Sequence, residues 1–500
     1  MDSFPMNQLS QPISPPSSDR LPLSNGKHDG ARLAADPRPW NGAASGGSEG
    51  EAPNLERLQA LLRRHDQPVP RYTSYPTAAA FHAGVTAADL VQQLRQPSDE
   101  PLSLYTHLPF CRHACWYCGC NRITTQLGSR VVAPYVEALG RELELQRAVA
   151  GRRRLAQLHW GGGTPNYLKT EECETLWRLI ERHFQLEPHL EASIELNPEF
   201  LSRDQVLGLR RLGFRRVSFG IQDADPQVQQ AVNRIVPEEQ LWRVMAWLRE
   251  ADFESVNVDL ICGLPLQSRD RFAATLELVR QLAPDRIALF SFAYLPAQLP
   301  LQRRIRPEDL PDADSRVAML VDAQQLFSRN GYDAIGLDHF ARRDDKLAIA
   351  ARQGELHRNF QGYTTGAELE VLGLGTTAIS QFRGLLCQNQ RRLRDYIDSL
   401  ARGELPVERG VRLVDPQLIE RRRLITSVMC RFEARFDPQH LAEEWQRLQH
   451  LAEEGLVTLE TPSQREAVVR VTATGRWVLR SIAAVFDPEQ QRQVSGSRLI

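Results

Sequence analysis

Tyr105-Thr106-His107-Leu108-Pro109-Phe110-Cys111-Arg112-His113-Ala114-Cys115-Trp116-Tyr117-Cys118-Gly119-Cys120 carries four of the chain's eight cysteines. The spacing of Cys111, Cys115 and Cys118 is C-x3-C-x2-C. Three thiolates on one short loop can wrap three corners of an iron–sulfur cubane, whereas a closed cluster site takes four. An iron left without a protein ligand is an open coordination position, by the logic that separates catalytic from structural zinc. The alternative is a zinc ion with Cys120, His107 or His113 as its fourth ligand. Structural zinc usually takes two separated cysteine pairs, not one crowded loop. Cys173, Cys262, Cys387 and Cys430 are scattered singly, which is no disulfide framework and points to a reducing compartment.

Downstream of the loop, and just before it, strand-like and helix-like segments alternate. The strand candidates are Leu102–Pro109, Leu155–Gly161, Ala192–Asn197, Arg216–Gln222, Ser255–Cys262 and Arg286–Tyr294. Amphipathic stretches such as Pro134–Val149, Glu171–Phe184, Glu239–Glu250 and Arg269–Leu282 lie between them. Such alternation predicts a parallel sheet, and six units predict a partial (β/α)6-type, TIM-like barrel. The unusual residues fall where these strands end. Cys111 follows the first, Gly161-Gly162-Gly163-Thr164-Pro165 the second, Glu195 and Asn197 the third, and Gln222 the fourth. Asp259 is late in the fifth, and Ala293 with Tyr294 closes the sixth. In α/β barrels that rim carries the active site.

Residues 1–54 are rich in Ser, Pro, Gly and Asn and read as a disordered low-complexity tail. Residues 55–100 read as an N-terminal segment, 101–300 as the barrel core, 301–384 as a connecting region, and 385–500 as a mainly helical, winged-helix-like domain. Within the last, helix, strand, turn, strand and helix follow one another over Leu441–Ala484. The net charge of −1 over 500 residues provides no global field for nucleic acid or anionic membranes. No apolar run is long enough to span a bilayer, and no secretion signal is legible. These features predict a cytoplasmic protein without nucleic-acid or membrane partners.

The cysteine spacing matches the radical S-adenosylmethionine (SAM) superfamily. Within it the chain resembles the oxygen-independent coproporphyrinogen III oxidases. The resemblance rests on Tyr105-x-His107-x-Pro109-Phe110-Cys111, Cys118-Gly119-Cys120 and His159-Trp160-Gly161-Gly162-Gly163-Thr164-Pro165. It is extended by Arg71-Tyr72-Thr73-Ser74-Tyr75-Pro76-Thr77 and by His357-Arg358-Asn359-Phe360-Gln361-Gly362-Tyr363-Thr364-Thr365. It implies a radical SAM barrel, one [4Fe–4S] cluster on Cys111, Cys115 and Cys118, and two SAM molecules. It also implies coproporphyrinogen III as substrate, a low-potential donor such as flavodoxin or ferredoxin, and a monomer. Where the family has tyrosine before Gly-Leu-Pro, this chain has Cys262.

By the same resemblance Tyr105, Tyr117, Gly162, Gly163, Thr164, Glu195, Gln222, Arg234, Asp259, Ala293 and Ile379 are cofactor-binding positions. Tyr105, His107 and Cys120 are catalytic candidates, with Cys120 near the cluster but off it. Arg71, His357 and Arg358 are candidates for binding the substrate's propionates. Two competing readings remain at this level. One is a radical SAM haem-binding or haem-delivery protein without oxidase activity. The other is a zinc-bearing, nucleic-acid-binding regulator that uses the winged module.

Overall fold

The computed structural model describes residues 55–366, 369–492 and 498, so the tail expected over 1–54 lies outside the described residues. Six parallel strands form the frame: β1 (Leu102–Leu108), β2 (Arg154–Gly162), β3 (Gln185–Leu196), β4 (Arg216–Gln222), β5 (Ser255–Cys262) and β6 (Arg286–Ser291). They pair in sequence order, each parallel to the last. Five helices make the crossovers: α1 (Ser129–Ala150), α2 (Thr170–His183), α3 (Arg203–Leu212), α4 (Glu238–Glu250) and α5 (Arg269–Leu282). Local chemistry sets the helix ends. The Ser202 hydroxyl accepts from the Gln205 N–H at 3.3 Å to cap α3. Gly213, at φ 115°, ends the same helix in the left-handed conformation.

The sheet extends beyond the six strands. After β6 come β7 (Tyr332–Ile335) and β8 (His339–Arg342), then β9 (Glu370–Leu374), β10 (Ile379–Gln381), β11 (Leu385–Asn389) and β12 (Val407–Arg412). β8 pairs antiparallel with β6, His339 facing Ala288. β9 pairs parallel with β1 on the side away from β2, Leu102 facing Glu370. The twelve strands make one sheet, ordered β12-β11-β10-β9-β1-β2-β3-β4-β5-β6-β8-β7. The boundary expected between 384 and 385 therefore falls inside this sheet. β10, β11 and β12 pair antiparallel in turn, with helix Leu393–Ala401 between the last two, and the helical module starts later, at Pro416–Arg431.

The main core lies between the sheet and its crossover helices. Trp160 of β2 meets Phe214 edge-on at 4.9 Å, and Trp177 of α2 meets the same ring at 5.1 Å. A fully buried carboxylate, Glu142 on α1, ties this layer to the β9–β10 turn and β11. It accepts from the Gly375 N–H at 2.9 Å, the Asn389 amide at 2.7 Å and the Tyr396 hydroxyl at 2.5 Å.

A second core joins three distant stretches: Leu58 to Tyr75, Val317 with Val321, and Leu424 to Phe486. The C-terminal module has helices Pro416–Arg431 and Ala442–Glu453 and a small antiparallel sheet of Glu433–Phe436, Glu466–Val471 and Val457–Ser463. Its Asp487 accepts from the hydroxyls of Tyr72 (2.8 Å) and Tyr75 (3.2 Å). Among the described residues no helix is long and apolar enough to cross a membrane.

Candidate active site

A cavity of about 380 Å³ runs down the inside of the barrel. Cys111, Cys115, Tyr117, Cys118 and Cys120 line one end, beyond the carboxyl ends of the strands. Arg216, Ser255 and Arg286, each the first residue of its strand, line the other. The cluster loop leaves β1 and returns to it, since the Ile123 N–H donates to the Pro109 carbonyl at 2.7 Å.

The loop is pinned from several sides. The Cys111 thiol meets the Thr164 hydroxyl at 3.4 Å, and the Arg234 guanidinium reaches the Cys115 sulfur at 3.8 Å. Arg122 donates to the carbonyls of Cys118 (3.1 Å) and Cys120 (3.3 Å). Asn233 holds the Ala114 carbonyl at 2.8 Å, and His113 meets Glu199 at 2.6 Å. Burial raises the Cys111 thiol. Hydrogen bonding from Cys120 lowers Cys118 to about 6, and the same bond raises Cys120 well above its ordinary value. Three soft sulfur donors open onto one cavity, with Cys120 beside the set as a hydrogen-bond donor to it. That donor set fits an iron–sulfur cluster held by three thiolates. Among the described residues no group of three His, Cys, Asp or Glu side chains is arranged around a point that could hold a single metal ion.

The wall beside the loop is built by β1, β2 and β3. The His107 Nε2–H donates to the Asn121 carbonyl at 3.0 Å, which leaves Nδ1 to accept from the Tyr105 hydroxyl at 3.1 Å. Burial lowers the His107 pKa, in keeping with a neutral ring. The glycines are required here. A Cβ on Gly162, at φ 113°, would lie 2.5 Å from the His107 ring, and one on Gly163 would lie 2.6 Å from the Pro109 backbone. The Gly162 N–H donates to Glu195 at 3.2 Å, and His159 meets the same carboxylate at 3.2 Å. Burial works to raise Glu195, yet the His159 hydrogen bond and charge outweigh it and hold the carboxyl below its ordinary value.

Across the lumen, β4 ends in a bulge. Gln222 takes φ 67°, and its side chain folds over Gly220, whose carbonyl accepts from Arg234 at 2.7 Å. Asp259 accepts from Ser218 (3.0 Å) and Asn257 (2.8 Å). Burial, then the nearby Glu195, raises it to about 6.

The structure thus gathers Cys111, Cys115, Cys118, Cys120, Tyr117, Gly162, Gly163, Thr164, Glu195, Gln222, Arg234 and Asp259 around one space. Tyr105, His107, Ala293 and Ile379 are not among the lining residues. Tyr105 and His107 stand in β1 as the support of that wall. Ala293 sits behind the loop, its carbonyl and that of Tyr117 sharing the Gln302 amide at 3.0 and 3.2 Å. Ile379 opens β10, paired with Gln388. Cys262 is buried at the end of β5, its thiol 3.7 Å from the Arg316 carbonyl.

Arg71, His357 and Arg358 do not line the cavity either. In the hairpin of His357–Asn359 and Gly362–Thr364, Asn359, Gln361, Tyr363 and Thr364 line the cavity, while Arg358, the cross-strand partner of Tyr363, does not. Arg358 donates to the Tyr363 hydroxyl at 2.6 Å and lies 4.0 Å from Asp338. Arg71 pairs with that same Asp338 at 2.5 Å. Asp338 in turn meets His339 Nδ1 at 2.7 Å. His339, which does line the cavity, carries no sequence motif of its own. Phe290, Asp338 and Tyr363 contact its ring, and Arg71 and Arg358 meet it only through Asp338, a set that no local pattern connects.

Comparison with known proteins fits this geometry. The radical SAM superfamily pattern matches residues 105–279. The chain is 43% identical over 458 residues to oxygen-independent coproporphyrinogen III oxidase of Synechocystis sp., covering 88% of this chain and 97% of that protein. To the protein of the same name from Escherichia coli it is 38% identical over 454 residues, covering 88% and 98%. A solved structure described as coproporphyrinogen III oxidase from Escherichia coli, a radical SAM enzyme, superimposes with TM-score 0.79 at 38% identity, covering 84% of this chain and 97% of that one.

Proposed function

The chain belongs to the oxygen-independent coproporphyrinogen III oxidases of the radical SAM superfamily, and from that premise we propose how its residues divide the work. The enzyme oxidatively decarboxylates two propionate side chains of coproporphyrinogen III to vinyl groups, giving protoporphyrinogen IX, a step of tetrapyrrole biosynthesis. Cluster and SAM, when bound, supply an electron and a 5′-deoxyadenosyl radical for hydrogen abstraction.

Cys111, Cys115 and Cys118 hold the [4Fe–4S] cluster. The Gly162 and Gly163 backbone, Thr164 and Tyr117 line the seat of one SAM. Glu195 suits its ammonium or ribose, Gln222 and Asp259 its hydroxyls, and Arg234 its carboxylate. Tyr105 and Ile379, on the β1 and β10 side, and Ala293, behind the cluster loop, are the remaining SAM positions. His107, neutral and held by Tyr105 and Asn121, keeps the glycine turn in place. Cys120 serves as a thiol near the cluster but off it, its backbone N–H donating to the Cys118 sulfur at 3.4 Å. The walls exclude water, which protects a reactive radical. The electron comes from a low-potential donor such as flavodoxin or ferredoxin. The enzyme works as a cytoplasmic monomer, without nucleic-acid or membrane partners.

The observation that carries this reading is the opening of three loop thiols onto the same cavity as Glu195, Arg234 and Asp259. The test is anaerobic assay of reconstituted protein with coproporphyrinogen III, SAM and a reductant. Wild type should release CO2 and form protoporphyrinogen IX. Cys111→Ala should lose both the brown cluster absorbance and SAM cleavage. Full activity in that variant would refute the cluster assignment.

A further inference from the structure

The substrate carries four carboxylates, and the cavity must offer them cationic or donor groups. Its arginines already have partners. Arg122 and Arg234 hold the cluster loop and the Gly220 carbonyl. Arg216 lies 3.7 Å from Glu191, Arg286 pairs with Asp345 at 2.8 Å, and Arg112 covers the Phe200 ring at 4.4 Å. His339 differs from them in its geometry. Opposite Ala288 on the lumen face of β8, it is gripped edge-on by Phe290 at 5.9 Å and Tyr363 at 5.3 Å. Its Nδ1 is committed to Asp338 at 2.7 Å. Among the described residues Nε2 has no hydrogen-bond partner, and His339 lines both the cavity and the smaller pocket beside Arg71 and Asp338.

Asp338 fixes more than the orientation of the ring. It is buried, which would raise its pKa. Arg358, His339 and Arg71 reverse this and hold the carboxyl well below its ordinary value. The Asp338 carboxylate accepts the Nδ1–H hydrogen bond at 2.7 Å, which turns Nε2 to the opposite side of the ring. Two guanidiniums against one carboxylate also leave a unit of positive charge behind the ring.

We propose that His339 is a substrate-binding residue whose ring, oriented through Nδ1 by Asp338, presents Nε2 to one propionate carboxylate of the tetrapyrrole. Asp338, Arg71 and Arg358 are the positioning residues behind it. The inference rests on the porphyrinogen reading above, and extends it to a side chain outside the cofactor set. A rival role is support of Asp259, whose carboxyl His339 influences across the lumen. That role moves the affinity for SAM instead.

The experiment uses reconstituted, anaerobic holoenzyme. His339→Phe keeps a ring between Phe290 and Tyr363 but offers no polar corner. His339→Gln retains an amide N–H close to the position of Nε2. Cluster absorbance and substrate-independent SAM cleavage should match wild type in both. KM for coproporphyrinogen III should rise about tenfold in His339→Phe, the loss of one charge-assisted hydrogen bond, and His339→Gln should recover part of it. KM for SAM should stay within about twofold, since none of its contacts is removed. The tetramethyl ester of the porphyrinogen, which has no carboxylate, should inhibit wild type and His339→Phe equally. An unchanged KM for coproporphyrinogen III in His339→Phe overturns the assignment. So does a rise in KM for SAM that equals the rise for the porphyrinogen. A wild-type protein that leaves coproporphyrinogen III untouched sinks the functional reading as well, a separate and recognisable failure.

Discussion

Glu142 illustrates how much a single enclosed carboxylate controls. It has no exposed surface, and burial raises it to about 7 against hydrogen bonds from Tyr396, Gly375 and Asn389. Below its unfolded value of 4.5 the group is protonated in both states and adds no pH dependence. Between there and about 7 the unfolded chain releases the proton while the native protein keeps it. Stability therefore falls as pH rises through this window, by about 3 kcal/mol in all. Glu142→Gln cannot titrate. Urea unfolding of both proteins at about pH 5 and about pH 8 should show the wild type losing 2–3 kcal/mol relative to the variant, roughly the part of that window crossed. A constant difference between the two would mean that the carboxyl ionises normally. The Gln146 amide joins the same cluster, donating to Glu142 at 3.2 Å and to the Gly373 carbonyl at 3.4 Å.

At the scale of elements, the ends of the strands carry the chemistry, and the glycines of β2 make the ends compatible. Gly162→Ala combines a backbone at φ 113° with a Cβ 2.5 Å from His107. It should cost about 3 kcal/mol or more and abolish SAM cleavage by pushing His107 off Asn121. Gly354→Ala is the comparison, at φ 74° with open space around the new carbon. It should cost only about 1 kcal/mol and leave the reaction intact, as thermal melts and methionine release would report.

Much at this scale was legible. Short Val-, Ile- and Phe-rich runs bounded by turn residues placed all six barrel strands, with β4 and β5 matching at both ends. Other features were hidden for physical reasons. β3 starts at Gln185, earlier than expected, because Glu187, Pro188 and His189 mask its first half. α1 begins before Pro134, which sits inside the helix. β9 is a five-residue strand whose partner is β1, a pairing that no local periodicity encodes. In the site, a motif fixed the thiols and glycines, but Arg71 and Arg358 could not be told from cavity residues without knowing that both turn toward Asp338.

The whole molecule is less divisible than its motifs. Tyr72 and Tyr75 end on Asp487, and the Tyr363 hydroxyl donates to the Met429 carbonyl at 3.2 Å. Removing everything after Leu413 would therefore strip the apolar cover from Leu58, Leu62, Val317 and Val321 and leave the hydroxyls of both tyrosines unpaired. Such a truncation should be recovered in aggregates, and the intact protein should melt in one calorimetric transition. Two well-separated transitions would show that the module is an appendage. The parallel seam between Leu102 and Glu370 has a further implication for biogenesis. Until the ribosome has delivered residue 370, the strand that bears the thiol loop has one flank with bare amides and carbonyls, an adhesive border open to neighbouring nascent chains. Over that interval overproduction carries its greatest hazard. Slowed synthesis should thus raise the yield more than any change made after the chain is complete.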